Sequence, residues 1–363
     1  MRAWRFYGFG DLRLDDVPEP VCRPGHVIVE PLYVQPSVTE AQLAFGIRTL
    51  AYEKIKRRLE TEAPVQLFGH EFSARIIEVA NDVVGFAVGD RVAARAKLPC
   101  QECSLCLTER SHLCRKGPII GFQLPGCFSE RAILPAIALV QLDDRISDSE
   151  GACLQSLSDS VAAVETADIR LGNSIVVLGQ GSMGIECMQI ARLSGAGQVI
   201  TVDVRDEACA VSRKLGADHA LNATTCNPVE AIRDLTGGNG ADIVFECAGG
   251  SPKQGLAGHQ TVMQAVDAVR SGGKIIGVSW FGQPLEIDID LLRERSLRYM
   301  FPDISTRAHL EHTVHLVASG RVHLKETITH VLPSLESVPQ AFEITAHKGK
   351  FKAINPAQVV VQR

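Results

Sequence analysis

The sequence contains no long apolar run and no excess of positive charge. No stretch of its 363 residues approaches the roughly 20 apolar residues of a membrane-spanning helix, and its start, MRAWRFYGFGDLRL, lacks the apolar core of a signal peptide. The net charge of −5 gives no general attraction to nucleic acids or anionic membranes. We therefore expect a cytoplasmic protein that binds neither nucleic acid nor a membrane.

The pattern of apolar runs changes near residue 150. Before it, short β-type runs such as HVIVEPLYV (26–34) and ARIIEVA (74–80) are separated by Gly and Pro, which predicts a β-rich domain. After it, strand-like and helix-like segments alternate from SIVVLG (174–179) to KIIGVSW (274–280), which predicts a doubly wound parallel sheet. The last segment, FKAINPAQVVVQR, is expected to return to the β-rich domain as a strand.

These patterns predict an α/β protein with two domains. The β-rich domain comprises residues 1–150 and 296–363, and the parallel-sheet domain comprises residues 151–295.

A glycine-rich loop follows the first strand of the parallel-sheet domain. Gly179, Gly181 and Gly184 form G-x-G-x-x-G between a buried strand and a helix, which is the context of a dinucleotide-binding loop. Asp203 ends the next strand, where a carboxylate can bind the ribose hydroxyls and repel a 2′-phosphate. The sequence therefore favours NAD over NADP, although Arg205 could offset part of the charge of Asp203.

Four of the eleven cysteines are clustered in CQECSLCLTERSHLC. Cys100, Cys103, Cys106 and Cys114 have the short spacing of a closed tetrahedral Zn²⁺ site, in which four protein ligands leave no position for substrate. The site is therefore predicted to be structural. An iron–sulfur cluster is the alternative, and the absence of a second cysteine set or of a proline after Cys114 counts against it.

Two further segments complete a family resemblance. Gly69-His70-Glu71 and Gly89-Asp90-Arg91-Val92 precede the cysteine cluster, and with the glycine loop and Asp203 the chain resembles the zinc-dependent alcohol and polyol dehydrogenases of the medium-chain dehydrogenase/reductase superfamily. The resemblance covers nearly the whole chain. It implies a GroES-like catalytic domain with a structural zinc lobe at about 97–117, a Rossmann NAD-binding domain, and a homodimer or homotetramer with KIIGVSW as the candidate edge strand.

The resemblance also implies the site residues. His70 corresponds to a ligand of a catalytic zinc, Glu71 to a ligand or close partner, and Ser37 to the hydroxyl that relays the proton of the substrate. In the family that zinc polarises the substrate oxygen while hydride passes to the nicotinamide. The positions assigned to the cofactor are Gly179, Gly181, Ser182, Met183, Gly184, Asp203, Arg205, Val278 and Lys352.

The segment VQPSVTE (34–40) departs from this family pattern. Gln35 stands where the family has a Cys ligand, Val38 replaces an acidic residue, and Glu40 replaces a His. Gln155 falls at the position of a further ligand. A neutral amide oxygen binds Zn²⁺ far more weakly than a thiolate does, so the second zinc is doubtful.

Three interpretations of the second zinc remain open. The metal could be absent, which we favour because the acidic residue that Val38 replaces is lost as well. It could bind through His70 and Glu71 with a substitute ligand such as Glu40, Cys153 or Asp159. The alignment could also be shifted by a residue or two.

Without a metal, the catalytic candidates are Ser37, Glu40, His70 and Glu71. Ser37 could donate to the substrate oxygen, with Glu40 or His70 as its proton partner. Glu40 could equally be an ordinary residue in the first turn of a helix. The basic run of Lys54, Lys56, Arg57 and Arg58 is predicted to be a solvated helix face, with an anionic substrate group as the alternative partner.

The predicted function is hydride transfer between NAD(H) and a secondary alcohol or ketone, with a polyol or cyclitol as the candidate substrate. A metal-free ketone or enone reductase and a non-catalytic cofactor-binding protein are the alternatives. The predicted cofactors are NAD and one structural zinc per chain.

Overall fold

The computed structural model describes residues 1–108, 110–250 and 258–362. Two units are distinguished. The first comprises Met1–Ser158, Ile304–Gly320 and Leu324–Arg363. The second comprises Asp159–Asp303 and Arg321–His323.

Strands and helices are numbered in chain order. The strands are β1 (Arg2–Gly8), β2 (Asp11–Asp16), β3 (His26–Gln35), β4 (Glu71–Val79), β5 (Arg91–Ala94), β6 (Ala132–Pro135), β7 (Leu139–Gln141), β8 (Ser174–Leu178), β9 (Gln198–Asp203), β10 (His219–Asn222), β11 (Ala241–Glu246), β12 (Val269–Gly277), β13 (Arg298–Met300), β14 (Val331–Leu332) and β15 (Gln358–Val360). The helices are α1 (Val38–Ala44), α2 (Tyr52–Glu62), α3 (Ser104–Leu107), α4 (Asp148–Gly151), α5 (Leu154–Ala167), α6 (Ser182–Leu193), α7 (Asp206–Lys214), α8 (Pro228–Leu235), α9 (Gln260–Ala268), α10 (Ile289–Glu294), α11 (Arg307–Ala318), α12 (Val338–Ala346) and α13 (Lys348–Phe351).

The first unit is built on a sheet of order β14-β15-β3-β4-β5-β7, with β6 also paired to β3. The long strand β3 is antiparallel to both β4 and β15, so the predicted return of the C-terminal strand to the first domain is confirmed. Gln35 pairs directly with Glu71 across β3 and β4. Val34 pairs with Val359, which places Gln358 beside Gln35 on the other flank of β3. One end of this sheet therefore brings three long polar side chains together.

Aromatic side chains fill the core of the first unit. Phe342 of α12 is fully buried, and its ring centroid lies 5.2 Å from that of Phe128, 5.9 Å from Phe6 and 6.1 Å from Phe68. These contacts bind a C-terminal helix to residues from the N-terminal half of the chain. The first unit therefore depends on both ends of the sequence.

The second unit contains a six-stranded parallel sheet of order β10-β9-β8-β11-β12-β13. The order reverses between β8 and β11, the strands at its centre, and ligands of doubly wound sheets bind at the carboxyl ends of strands at such a point. The predicted fold class is confirmed: a β-rich unit accompanies a doubly wound parallel-sheet unit.

One prediction about this sheet is wrong. The run KIIGVSW contributes to β12, which lies between β11 and β13 and is not an edge strand. The two edges are β10 and the three-residue β13, which follows α10 and pairs with β12. A strand this short leaves no alternation of apolar and polar residues long enough to recognise in the sequence.

Among the described residues, none of the helices combines the length and apolar character required to cross a lipid bilayer.

Replacing Phe342 with Ala is expected to lower the free energy of unfolding of the first unit by about 3–5 kcal/mol, because it leaves a cavity among three rings. Val84, which is 91% exposed in the same unit, provides the matched control, and Val84→Ala should change the stability by less than about 0.5 kcal/mol. Urea unfolding followed by circular dichroism measures both. Equal effects of the two substitutions would contradict the assignment of Phe342 to the core.

Candidate active site

The four predicted zinc ligands form one cluster in the first unit. Their sulfur atoms all lie within 4.8 Å of one another, with 3.5 Å between Cys103 and Cys106 and 3.8 Å between Cys100 and Cys106. Tetrahedral Zn–S bonds of about 2.3 Å place sulfurs about 3.8 Å apart, so the geometry fits a single zinc ion. An iron–sulfur cluster, whose cysteines bind different iron atoms, requires a wider separation.

The pKa values of two thiols in this cluster bear on how it would bind a cation. The backbone N–H of Cys100 donates to Cys114 Sγ at 3.4 Å and lowers the pKa of that thiol to about 6. Burial raises the pKa of Cys106 to about 11. Metal binding must therefore displace protons from the thiols that are still neutral at pH 7.

The glycine loop of the second unit has the geometry that a dinucleotide requires. Gly179 begins the turn after β8 at φ 88°, and a Cβ there would lie 2.7 Å from the backbone of Ala248. A Cβ on Gly184 would lie 1.8 Å from the carbonyl oxygen of Gly179. Gly181 is the N-cap of α6, so the free N–H groups of that helix, which begins with Ser182 and Met183, are available to a pyrophosphate.

Asp203 stands at the end of β9, next to this loop. Its carboxylate accepts hydrogen bonds from the backbone N–H of Gln180 at 2.7 Å and from the backbone N–H of Arg205 at 3.0 Å. The guanidinium Nε of Arg205 lies 3.1 Å from the same carboxylate. The structure thus ties Asp203 to the glycine loop and shows that Arg205 is close enough to reduce its negative field.

Glu40 and His70 form a buried pair in the first unit. Glu40 is fully buried, and its Oε1 lies 2.6 Å from His70 Nδ1. The same oxygen accepts the backbone N–H of Gly69 at 2.9 Å. The carboxylate therefore lies against Nδ1, and a carboxylate at one ring nitrogen orients the imidazole and sets its tautomer.

The local fold explains why Glu40 has this role. Ser37 is the N-cap of α1 and Glu40 is the third residue of that helix, so the two form a capping box with hydrogen bonds of 3.0 and 3.1 Å. The carboxylate therefore points back over the helix start toward the loop that carries His70. In that loop Gly69 has φ 86°, and a Cβ there would lie 2.9 Å from the backbone of Cys127.

This geometry adds to the interpretation of the sequence. Val38 removes an acidic residue from this segment, as noted above, but the segment still places a carboxylate against His70. Glu40 supplies the carboxylate from two positions further along the chain. Glu40 is also a first-turn helix residue, as one of the two interpretations of it expected, and its catalytic role stays a prediction.

A polar network surrounds Gln35 at the end of β3. Gln35 Nε2 donates to Glu71 at 2.6 Å, and its Oε1 accepts from Gln358 at 3.0 Å and from Asn355 at 3.4 Å. Cys153 Sγ lies 3.7 Å from the same oxygen. All five side chains are at most 5% exposed, so each polar atom among them needs a protein partner.

No sequence motif marks Asn355 and Gln358 as members of this network. They lie 320 and 323 positions from Gln35 and belong to no motif, although their pairing could have been suggested once β15 was placed beside β3. Ser149 is a further unpredicted member, because its carbonyl accepts from Gln358 Nε2 at 2.8 Å.

The residues around Gln35 do not fit a tight zinc site. The described residues contain a single group of three or more Cys, His, Asp or Glu whose ligand atoms are close enough for one ion, and it is the four-cysteine cluster. His70 and Glu71 belong to no second such group. Gln155, at the other predicted ligand position, is buried at the start of α5, where its carbonyl accepts the Ser158 hydroxyl at 2.7 Å.

Other predicted residues lie apart from these groups. Val278, just after β12, donates its backbone N–H to the carbonyl of Glu246 at 2.9 Å in the second unit. Lys352 is an exposed residue of the first unit. On α2, Arg58 and Lys56 pair with glutamates one turn away, Glu62 and Glu60, which supports the solvated helix face.

Comparisons with known proteins agree with this arrangement. The alcohol dehydrogenase GroES-like domain matches residues 36–144, and the zinc-binding dehydrogenase domain matches residues 182–318. The chain is 28% identical over 351 residues to an erythritol/L-threitol dehydrogenase of Mycolicibacterium smegmatis, covering 93% of this chain and 92% of the relative. It is 27% identical over 337 residues to an L-threonine 3-dehydrogenase of Pyrococcus horikoshii, covering 91% and 90%.

The fold also matches solved structures. An alcohol dehydrogenase from Thermus sp. ATN1 superposes with a TM-score of 0.84 at 24% identity, over 100% of both chains. The predicted combination of a GroES-like domain with a Rossmann domain is confirmed.

Replacing Cys103 with Ser removes one of four thiolates, and the zinc content of the purified protein should fall by about one equivalent per chain. The exposed Cys226 lies outside the cluster, so Cys226→Ser should leave the zinc content unchanged. Inductively coupled plasma mass spectrometry measures both. A Cys103→Ser protein that keeps its full zinc content would disprove the site.

Proposed function

The chain belongs to the zinc-dependent alcohol and polyol dehydrogenases of the medium-chain dehydrogenase/reductase superfamily, and from this we propose that it transfers hydride between NAD(H) and a secondary alcohol or ketone. The observation that carries the proposal is the His70–Glu40 pair, which lies beside Ser37 in the first unit. A histidine oriented by a buried carboxylate is an arrangement for moving protons, and the backbone N–H of Ser37 donates to the same carboxylate. The second unit supplies the nucleotide loop.

The named relatives support a polar substrate. They are named for erythritol, L-threitol and L-threonine, each of which carries a hydroxyl on a secondary carbon with a polar group on a neighbouring carbon. We therefore favour a polyol-like secondary alcohol as the substrate. The carboxylate of Glu71 and the amide of Gln35 are paired with each other. We propose Ser37 and His70 as the groups of the first unit that contact the substrate.

The reaction requires two transfers. Oxidation of a secondary alcohol moves the hydrogen on its carbon as a hydride to the nicotinamide and releases the hydroxyl hydrogen as a proton. When bound, the nicotinamide serves as the hydride acceptor. Ser37 hydrogen-bonds the substrate oxygen, and His70 Nε2 takes the proton while Glu40 stabilises the imidazolium through Nδ1. Reduction of a ketone follows the same steps in reverse.

NAD rather than NADP is the proposed cofactor. The carboxylate of Asp203 ends β9 beside the glycine loop, where it accepts from Gln180 N at 2.7 Å and remains next to the position of a ribose. Arg205 weakens this preference because it pairs with Asp203.

A metal-free ketone or enone reductase is the second candidate. The glutamines at positions 35 and 155 favour it, because a reductase that protonates its product needs no zinc to hold an alkoxide. A non-catalytic role is disfavoured, since the carboxylate of Glu40 lies 2.6 Å from His70 Nδ1 and also accepts the backbone N–H of Ser37.

We further propose a cytoplasmic homodimer or homotetramer that associates through the edge strand β13. Its backbone ends the sheet, and the adjacent Phe301 is 70% exposed. Analytical ultracentrifugation of the purified chain tests this assembly, and a monomer at micromolar concentration would refute it.

His70→Ala should lower kcat by about 100- to 10,000-fold, because it removes the proposed proton acceptor. Glu40→Gln should lower kcat by about 10- to 100-fold through the loss of histidine orientation. NAD binding by calorimetry should be unchanged in both. Glu60→Gln on α2 is the control and should keep full activity.

These rates are to be measured as NADH formation across a panel of polyols and secondary alcohols. An unchanged kcat in the His70 variant would reject the mechanism. Wild-type protein that turns over no alcohol, ketone or enone while binding NAD would favour the non-catalytic alternative.

Asp203→Ala is expected to weaken NAD binding by about 10- to 100-fold relative to NADP, since it removes charged acceptors for the ribose and the repulsion of a 2′-phosphate. Calorimetric titration with each cofactor measures the ratio. Asp234→Ala, at an exposed position of α8 in the same unit, should leave the ratio unchanged. A wild-type preference for NADP would contradict the role of Asp203.

A further inference from the structure

Gln35 uses both ends of its side-chain amide inside the protein. Its Oε1 faces three donors: Gln358 Nε2 at 3.0 Å, Asn355 Nδ2 at 3.4 Å and Cys153 Sγ at 3.7 Å. Its Nε2 donates to Glu71 at 2.6 Å. An amide oxygen that already faces several donors has no lone pair left to offer to a cation. Turning Gln35 toward a metal would leave these donors buried without an acceptor.

Cys153 is held in the same way. Its sulfur is fully buried and accepts Asn355 Nδ2 at 3.0 Å and Gln358 Nε2 at 3.3 Å. Two amide N–H groups therefore direct their positive ends at the one thiol near Gln35. A cation that bound this sulfur would have to replace these two hydrogen bonds.

The C-terminal segment fixes the donors. Gln358 begins β15, which pairs with β3, and its amide is clamped by both the hydroxyl and the carbonyl of Ser149. The carbonyl of Thr327 accepts the backbone N–H of Asn355 at 3.1 Å. The amide of Gln358 is therefore fixed at both ends, whereas Asn355 is held through its backbone and its Oδ1 has no hydrogen-bond partner among the described residues.

We propose that this amide network, centred on Gln35, replaces the second metal of the family, so that the chain binds zinc only at its four-cysteine cluster. Glu71 is satisfied by Gln35 instead of by a cation, and Cys153 is satisfied by two amides. His70 keeps its carboxylate partner and acts as a proton-transfer group. The proposal rests on the proposed function and adds that no zinc takes part in the chemistry at His70. It is tested by the zinc content of the protein. It can therefore be tested even if no substrate is turned over in the activity assay.

The test is zinc stoichiometry. Wild-type protein and the variants Cys103→Ser, His70→Ala and Gln35→Cys/Gln155→Glu are to be grown with added zinc and passed over a gel-filtration column in buffer with a mild chelator. Zinc per chain is then measured by mass spectrometry. We expect about one zinc in the wild type, the same in His70→Ala, and almost none in Cys103→Ser.

The double variant restores a thiolate and a carboxylate at the two glutamine positions and is expected to retain a second zinc. Two zinc ions in the wild type, with one lost in His70→Ala, would overturn the proposal. A correctly folded double variant that stays at one zinc would overturn the assignment of Gln35 and Gln155 as its determinants. NAD binding by the second unit and the circular dichroism spectrum establish the folding of each variant.

Discussion

A buried polar side chain must find hydrogen-bond partners within the protein. Two such side chains, Gln35 and Glu40, lie at and just after the end of β3. The amide of Gln35 connects β4, β15 and the start of α5 through Glu71, Gln358 and Cys153. Five positions later, the carboxylate of Glu40 connects the start of α1 to the loop that carries His70. Because an unpaired buried amide or carboxylate is costly, the two side chains fix the arrangement of the whole candidate site.

These two sets of contacts have different chemical consequences. The contacts of Glu40 keep His70 oriented with Nε2 as its reactive nitrogen, which retains the capacity for proton transfer. The contacts of Gln35 occupy the atoms that would otherwise bind a metal. The chain thus combines the glycine loop and the four-cysteine cluster with a Glu40–His70 pair, proposed to transfer protons, and with a neighbouring carboxylate, Glu71, that is paired with an amide.

Features with local sequence signals could be predicted, and features that depend on distant pairing could not. The glycine loop and the four cysteines are recognisable in the sequence because each must keep a fixed spacing within a few residues. The loop needs that spacing to approach a pyrophosphate, and the cysteines need it to surround one zinc ion. The role of Glu40 depends on the helix beginning at Val38 and on the path of the loop before β4. Asn355 and Gln358 reach Gln35 only after β15 pairs with β3, so no local pattern marks them. The edge strand β13 is missed because three residues show no periodicity.

The central claim is that amides, and not a second zinc ion, satisfy the buried groups around Gln35. The most direct measurement is an anomalous difference map at the zinc absorption edge from crystals of the wild-type protein grown with zinc and NAD. We predict one peak per chain, at the centre of Cys100, Cys103, Cys106 and Cys114. A second peak of comparable height beside His70 and Glu71 would contradict the account.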